Sequence, residues 1–153
     1  MTATHVRALL AVAVVLVLGA VNWSIYAKER IKTQGDRVYL ELAPVDPRSL
    51  MQGDYMALRF SLANEITATE SGTAPLFVDE RGVATVNRSP KAGDLRIRYR
   101  LRNGQVWLGT NAYFFEEGNA ERYAGARYGE FRVDRGTGEA VLVALADENL
   151  KPK

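Results

Sequence analysis

Two hydrophobic patterns divide the chain into an uninterrupted apolar run near its start and a longer stretch in which apolar and polar residues alternate. Residues 8–27 contain no charged side chain, and twenty helical residues span about 30 Å, the thickness of the hydrocarbon core of a bilayer. Trp23 and Tyr26 lie at the end of this run, where aromatic rings favour the lipid headgroup region. The pattern predicts a tail at residues 1–7 and a transmembrane helix over 8–27 that anchors the protein in a membrane.

The apolar run leaves cleavage and orientation open. A cleaved signal peptide would have the same apolar core, but Leu18 and Ile25 lie three residues before the candidate cleavage points, where cleavage prefers small side chains. We therefore expect an uncleaved signal-anchor. The positive-inside rule compares Arg7 with three basic residues at 28–32 and favours a cytoplasmic C-terminal domain. The tail before the span has only seven residues, so the comparison of charges on its two sides rests on few residues.

The rest of the chain has the size of one domain. We place a linker at 28–36, a domain at 37–150 and a tail at 151–153. About 120 residues are enough to bury an independent core. Short strands, tight turns and one convincing helix at 119–126, with Asn119 as its N-cap, predict a mainly β, α+β fold. The expected form is a small antiparallel barrel or sandwich.

The strands are predicted from alternation with period two. Alternation over 54–62 directs Met56, Leu58, Phe60 and Leu62 to one face, and the Asn103-Gly104 pair after 94–102 is typical of a two-residue hairpin turn. The predicted strands cover residues 38–42, 54–62, 76–79, 83–86, 94–102, 105–109, 113–115, 131–133 and 140–145.

The composition excludes several kinds of chemistry. The chain has no Cys, a single His (His5) and a formal charge of +2, from 20 Lys and Arg against 18 Asp and Glu. Disulfides, thiolate metal sites, Cys nucleophiles and histidine-based triads are therefore excluded. The near balance of charge argues against nucleic-acid binding driven by bulk charge. We expect no cofactor, no metal and no catalytic set, and the sequence does not indicate an oligomeric state.

An envelope hydrolase remains the alternative to a non-catalytic protein. Ser49 could act as a nucleophile only beside a lysine that loses its proton, whereas the basic strand carries only arginine, which is too basic for this role. Glu116, Glu121 and Glu130 would have to converge across a cleft to act as acid and base. Pairing of these carboxylates with surface arginines is the interpretation that we favour.

A row of arginines is the strongest candidate for a binding surface. Arg96, Arg98, Arg100 and Arg102 alternate with apolar residues and should project from one face of a strand at intervals of about 6.5 to 7 Å. Their mutual repulsion requires an acidic group opposite. We favour acids on a neighbouring strand of the same domain. The alternative is an external anion, such as lipid headgroups, an acidic glycan or an acidic patch on a partner.

A motif in the segment 46–60, which reads DPRSLMQGDYMALRF, supports a family resemblance. The segment resembles the GDYXXLXY family of small membrane-anchored bacterial proteins without an assigned activity, and Phe60 stands where that motif ends in Tyr. Stretches at 114–118, 126–130 and 147–150 resemble the family too. The motif residues are Asp46, Pro47, Arg48, Gly53, Asp54, Tyr55, Leu58 and Phe60.

The resemblance implies a domain on the outer, periplasmic face of the cytoplasmic membrane, with multi-pass membrane proteins as possible neighbours. Because of this resemblance we predict that the domain lies on the periplasmic side, although the charges that flank the apolar run favour the cytoplasm. We therefore expect an accessory or interaction subunit of a membrane or envelope assembly. Within the motif we expect Asp46, Arg48 and Asp54 to fix a turn, because Asp and Arg around Pro and Gly commonly do so.

Overall fold

The computed structural model describes residues 3–43, 51–52 and 55–153. Its first element, α1, is a continuous helix over Ala3–Gln34. None of its most apolar stretch is buried against the rest of the protein. Among the described residues, α1 is the one helix that is long and apolar enough to cross a membrane.

The part of the domain that the structure describes consists of antiparallel sheets, including a half-barrel, and two short helices. The sheets have the strand orders β1-β9-β10, β2-β3-β8 and β5-β4-β6-β7. Strands hold more residues than helices, so the predicted β-rich α+β fold is confirmed. The elements after α1 are β1 (Asp36–Glu41), β2 (Met51–Gln52), β3 (Tyr55–Ala57), α2 (Ser61–Glu65), β4 (Gly72–Val78), β5 (Ala84–Val86), β6 (Arg96–Arg102), β7 (Gln105–Leu108), β8 (Ala112–Phe114), α3 (Ala120–Tyr123), β9 (Tyr128–Val133) and β10 (Ala140–Ala146).

Turn chemistry determines the hairpins as the sequence predicts. β6 pairs with β7 across Asn103 and Gly104, whose φ angles are 50° and 73°. These left-handed values are what a two-residue turn of this kind requires. Longer turns join β4 to β5 and β9 to β10, which pair in the same antiparallel way.

The core lies where the alternating residues point. Met56, Leu58, Phe60 and Leu62 are all buried, although the chain leaves the strand after Ala57 and forms α2 from Ser61. The predicted burial is therefore confirmed, whereas a strand over the whole of 54–62 is wrong. A short helix that starts directly after Phe60 keeps Leu62 in the core without continuing the ladder. The side chains with least exposure are those of Val38, Leu40, Leu62, Ile97, Phe131, Val133 and Leu145.

Helix α1 continues past the apolar run and ends against the domain. Ile31 is only 7% exposed, and its carbonyl oxygen accepts a hydrogen bond of 2.8 Å from the N–H of Gly35. A Cβ on Gly35 would lie 3.0 Å from the backbone nitrogen of Val133 in β9, so the chain passes close to that strand. Residues 28–34 are therefore helical, where we expected a linker, because burial of Ile31 stabilises the last turns.

The C-terminus is also tied to the domain. The N–H of Lys153 donates to the carbonyl oxygen of Leu145 at 2.9 Å. The carboxylate of Asp147 accepts hydrogen bonds from the N–H groups of Asn149 and Lys151, at 2.8 and 3.0 Å. The segment 151–153, which we predicted as a tail, is therefore held beside β10 by this turn.

The helix predicted at 119–126 is only the four residues of α3. Asn119 is at the predicted N-cap position, but its side chain makes no capping hydrogen bond. The N–H groups of Arg122 and Ala126 bond to carbonyl oxygens three residues earlier, those of Asn119 and Tyr123. Bonds of this spacing form tight turns, which replace a longer α-helix here.

Candidate functional site: an arginine-lined groove

The four arginines of β6 form an exposed row, as predicted. Leu95 and Ile97 point into the core, and the arginines alternate with them towards solvent. β6 lies between β4 and β7, and none of the residues that face the arginines on these strands is acidic. Our expectation of acids on a neighbouring strand is therefore wrong. Pro75, Thr73, Trp107 and Gln105 face Arg96, Arg98, Arg100 and Arg102, respectively.

The arginines differ in what they contact. Arg96 donates to the hydroxyl and the carbonyl oxygen of Thr73, at 3.1 and 3.3 Å. The guanidinium carbon of Arg102 lies 5.4 Å from the centre of the Trp107 ring, within the range of a cation–π contact. Within the described residues, the side chains of Arg98 and Arg100 form no hydrogen bond or ion pair.

Three of the arginines line a groove of about 350 Å³ that also reaches the end of α1. Lys28 lines the same groove and donates a hydrogen bond to Glu139. The described lining therefore holds four cations and a single carboxylate, which is already paired. Its full lining is Lys28, Arg98, Arg100, Arg102, Trp107, Gly109, Thr110, Asn111, Glu139 and Ala140.

The turn between β9 and β10 brings Glu139 to the groove. Its Gly138 carbonyl oxygen accepts a hydrogen bond of 2.6 Å from the N–H of Arg98. Gly138 has a φ of 71°, and a Cβ there would lie 3.1 Å from a carbonyl oxygen of β6. The carboxylate of Asp134 accepts hydrogen bonds from the hydroxyl and the N–H of Thr137, both at 2.7 Å. These bonds lower the pKa of Asp134 and stabilise the turn internally, whereas the Arg98–Gly138 bond joins it to β6.

The described residues of the family motif divide between the core and the surface. Leu58 and Phe60 are buried, and the Phe60 ring meets Phe131 edge-on with 5.1 Å between ring centres. Its predicted core-facing orientation is confirmed. Tyr55 pairs with Phe114 across β3 and β8, with 5.8 Å between their rings. Phe114 is 75% exposed, so an aromatic surface adjoins the motif. Asp46, Pro47, Arg48, Gly53 and Asp54, with the turn predicted for them, lie outside the described residues.

The candidate carboxylates differ in burial. Glu130 is buried in β9, with Oε1 at 3.6 Å from a guanidinium nitrogen of Arg132, whereas Glu116 and Glu121 are exposed. The arginine pairing that we favoured is thus present at Glu130, in a buried position. Ser49 lies outside the described residues. In the described part of the chain, no three Asp, Glu or His side chains converge in a way that could hold a metal.

A larger hollow, of about 480 Å³, lies between α2 and β7. Its described lining mixes apolar and uncharged polar residues and includes one charged side chain, that of Arg59. It shares Trp107, Thr110 and Asn111 with the arginine-lined groove. Among the described residues, the lining of this hollow contains no acidic side chain beside Arg59. The charged groups that could recognise a ligand are therefore concentrated in the arginine-lined groove.

Comparison with known families agrees with the motif. The family model for the GDYXXLXY protein matches residues 17–145. The chain belongs to the GDYXXLXY family. The GDYXXLXY match begins inside the apolar run and ends in β10, so it includes part of α1 and nearly the whole domain. The searches of curated proteins and of solved structures gave no match.

Proposed function

We propose that this GDYXXLXY protein is a single-span membrane protein whose domain lies outside the cytoplasm and serves as an accessory subunit of a membrane assembly. We propose that it acts by binding, without catalysis. The support for anchoring is α1, whose exposed apolar surface would be covered by lipid or by another transmembrane segment. Its partner in this proposal is a multi-pass protein of the same membrane.

One observation carries the proposal: the helix continues into the domain without a flexible break. Ile31 is buried, Gly35 packs against β9, and Lys28 pairs with Glu139. A flexible tether would let the domain sample many orientations. A helical connection packed against the domain fixes its orientation to the span, which suits a subunit with one docking geometry.

The aromatic surface beside the motif is where we place the partner contact. Phe114 is 75% exposed, and its ring lies tilted beside that of Tyr55. Aromatic residues are enriched where protein surfaces bind each other. Phe77 is a matched control, because it is the same residue type, is 57% exposed and lies in another sheet.

The test is crosslinking in intact membranes. A photoreactive phenylalanine analogue replaces Phe114 or Phe77 in the full-length protein, and crosslinked products are purified in mild detergent for mass spectrometry. We expect one stoichiometric multi-pass partner from position 114 and much less of it from position 77. Isolation of a lone monomer from both positions would overturn the accessory role.

The orientation needs its own measurement. Alkaline phosphatase fused after Lys153 folds to an active enzyme outside the cytoplasm, whereas a fluorescent protein at the same position reports a cytoplasmic end. We expect phosphatase activity, although the basic residues after the span favour the opposite side. An inactive phosphatase with a fluorescent counterpart would overturn the placement.

A further inference from the structure

We propose that the arginine-lined groove binds the phosphate of an anionic phospholipid from the membrane that holds α1. Arg98 and Arg100 are exposed and, within the described residues, have no side-chain partner. The strand register places only uncharged residues opposite them. Adjacent unpaired guanidinium groups repel one another, so an anion between them stabilises both.

The chemistry of the lining suits a phosphate group. Guanidinium groups donate in a fork that matches phosphate oxygens, and Lys28 adds a compact positive charge. Trp107 provides an aromatic wall beside the arginines, and the indole ring is favoured at the boundary between lipid and water. A groove of about 350 Å³ is within the size range of small-ligand sites.

The position of Lys28 favours a lipid over a soluble anion. Lys28 is the first charged residue after the apolar run at 8–27, so its ammonium lies at the headgroup level when that run spans the membrane. The same side chain lines the groove. Headgroups are therefore the anions present at highest local concentration beside the four cations. This step rests on the membrane anchoring proposed above.

The experiment uses Trp107 as the reporter. The chain contains two tryptophans, and Trp23→Phe in α1 leaves only the one in the groove. The full-length variant in uncharged detergent micelles is titrated with phosphatidylglycerol, phosphatidylcholine or inorganic phosphate while Trp107 emission is recorded. We expect a saturable change with phosphatidylglycerol, weakened by added salt, and none with phosphatidylcholine.

Arginine variants test whether the groove is responsible. Arg98→Gln with Arg100→Gln should weaken phosphatidylglycerol binding roughly 25-fold, at about fivefold for each arginine near an anionic surface. Arg96→Gln is the control for the loss of one arginine charge from the same face, since Arg96 contacts Thr73 and does not line the groove. We expect this control to keep most of the affinity. Unchanged melting temperatures would show that the variants fold.

The outcomes separate the possible anions. Competition by inorganic phosphate would support recognition of the phosphate itself, whereas a response to inorganic phosphate without one to phosphatidylglycerol would overturn the lipid assignment. Equal responses to both lipids, or equal effects of the double variant and Arg96→Gln, would overturn the site. These measurements use solubilised protein, so their failure would leave the crosslinking and orientation tests untouched.

Discussion

Replacing Gly138 with alanine tests whether the β9–β10 turn determines the shape of the groove. Gly138 has a φ of 71°, and an added Cβ would meet the Arg96 carbonyl oxygen at 3.1 Å and the Arg98 nitrogen at 3.2 Å. Both contacts are with backbone atoms, which cannot rotate away. The turn must therefore shift away from β6 by a few tenths of an ångström, which strains the bond from the Arg98 N–H to the Gly138 oxygen.

The cost of this substitution has two parts. A left-handed φ costs a non-glycine residue about 1–2 kcal/mol, and overpacking against neighbouring atoms costs about 1–3 kcal/mol. Alanine also reduces the entropy of the unfolded chain, which offsets about 0.4–1 kcal/mol. The net loss is therefore roughly 1–4.5 kcal/mol. For a domain of this size it lowers the melting temperature by about 4–18 °C, at about 4 °C per kcal/mol.

Gly136→Ala is the control in the same turn. Gly136 has no positive φ, and its nearest contact for an added Cβ is the Asp134 carboxylate at 3.5 Å, an ordinary van der Waals distance. We expect its melting temperature to equal or slightly exceed that of the parent. Thermal unfolding of the full-length proteins in detergent, followed by near-ultraviolet circular dichroism, measures both. Equal melting temperatures for the two variants would refute the packing argument.

Two further predictions concern the core and the acidic turns. Phe131→Ala should destabilise the domain by about 3–5 kcal/mol, because its side chain is fully buried. The same thermal assay measures this, and a loss well below about 3 kcal/mol would contradict it. Hydrogen bonds from Thr137 lower the pKa of Asp134, and the N–H of Lys151 lowers that of Asp147. The stability that these carboxylates provide is present above about pH 4, the usual Asp pKa, and is lost as pH falls through the lowered pKa of the folded state. Asp134→Asn and Asp147→Asn should each weaken the dependence of the melting temperature on pH below about pH 5. A dependence as steep as that of the parent would contradict this.

Local pattern was sufficient to predict much of the fold. Alternation placed Met56, Leu58 and Phe60 in the core, and the Asn103-Gly104 pair determined the β6–β7 hairpin. Both signals depend on neighbours in the chain. The helical form of residues 28–34 has no such local signal, because burial of Ile31 against the domain stabilises the last helical turns through residues distant in sequence.

The row of arginines was predictable from the sequence. Of the residues that face it, those on β7 were predictable and those on β4 were not. The two-residue turn fixes the pairing of Arg100 with Trp107, so this part of the register can be counted from the sequence. The pairing of β6 with β4 has no such local signal. Neither does the hydrogen bond from Arg98 to Gly138 that brings Glu139 to the groove. Lys28, Trp107 and Glu139 were therefore missed as members of one site.

Removal of the single carboxylate of the groove separates two roles for Glu139. Glu139 accepts a hydrogen bond from Lys28, and it also places a negative charge where we propose that a phosphate binds. An exposed ion pair contributes about 1 kcal/mol or less to stability, so Glu139→Gln should leave the domain folded. It frees the Lys28 ammonium and removes repulsion, and we expect about fivefold tighter binding of phosphatidylglycerol in the Trp107 assay. Gln offers the same length without charge, so a change in packing cannot cause this gain. Weaker binding would instead mean that Glu139 positions Lys28 for the ligand, and the repulsion argument would be wrong.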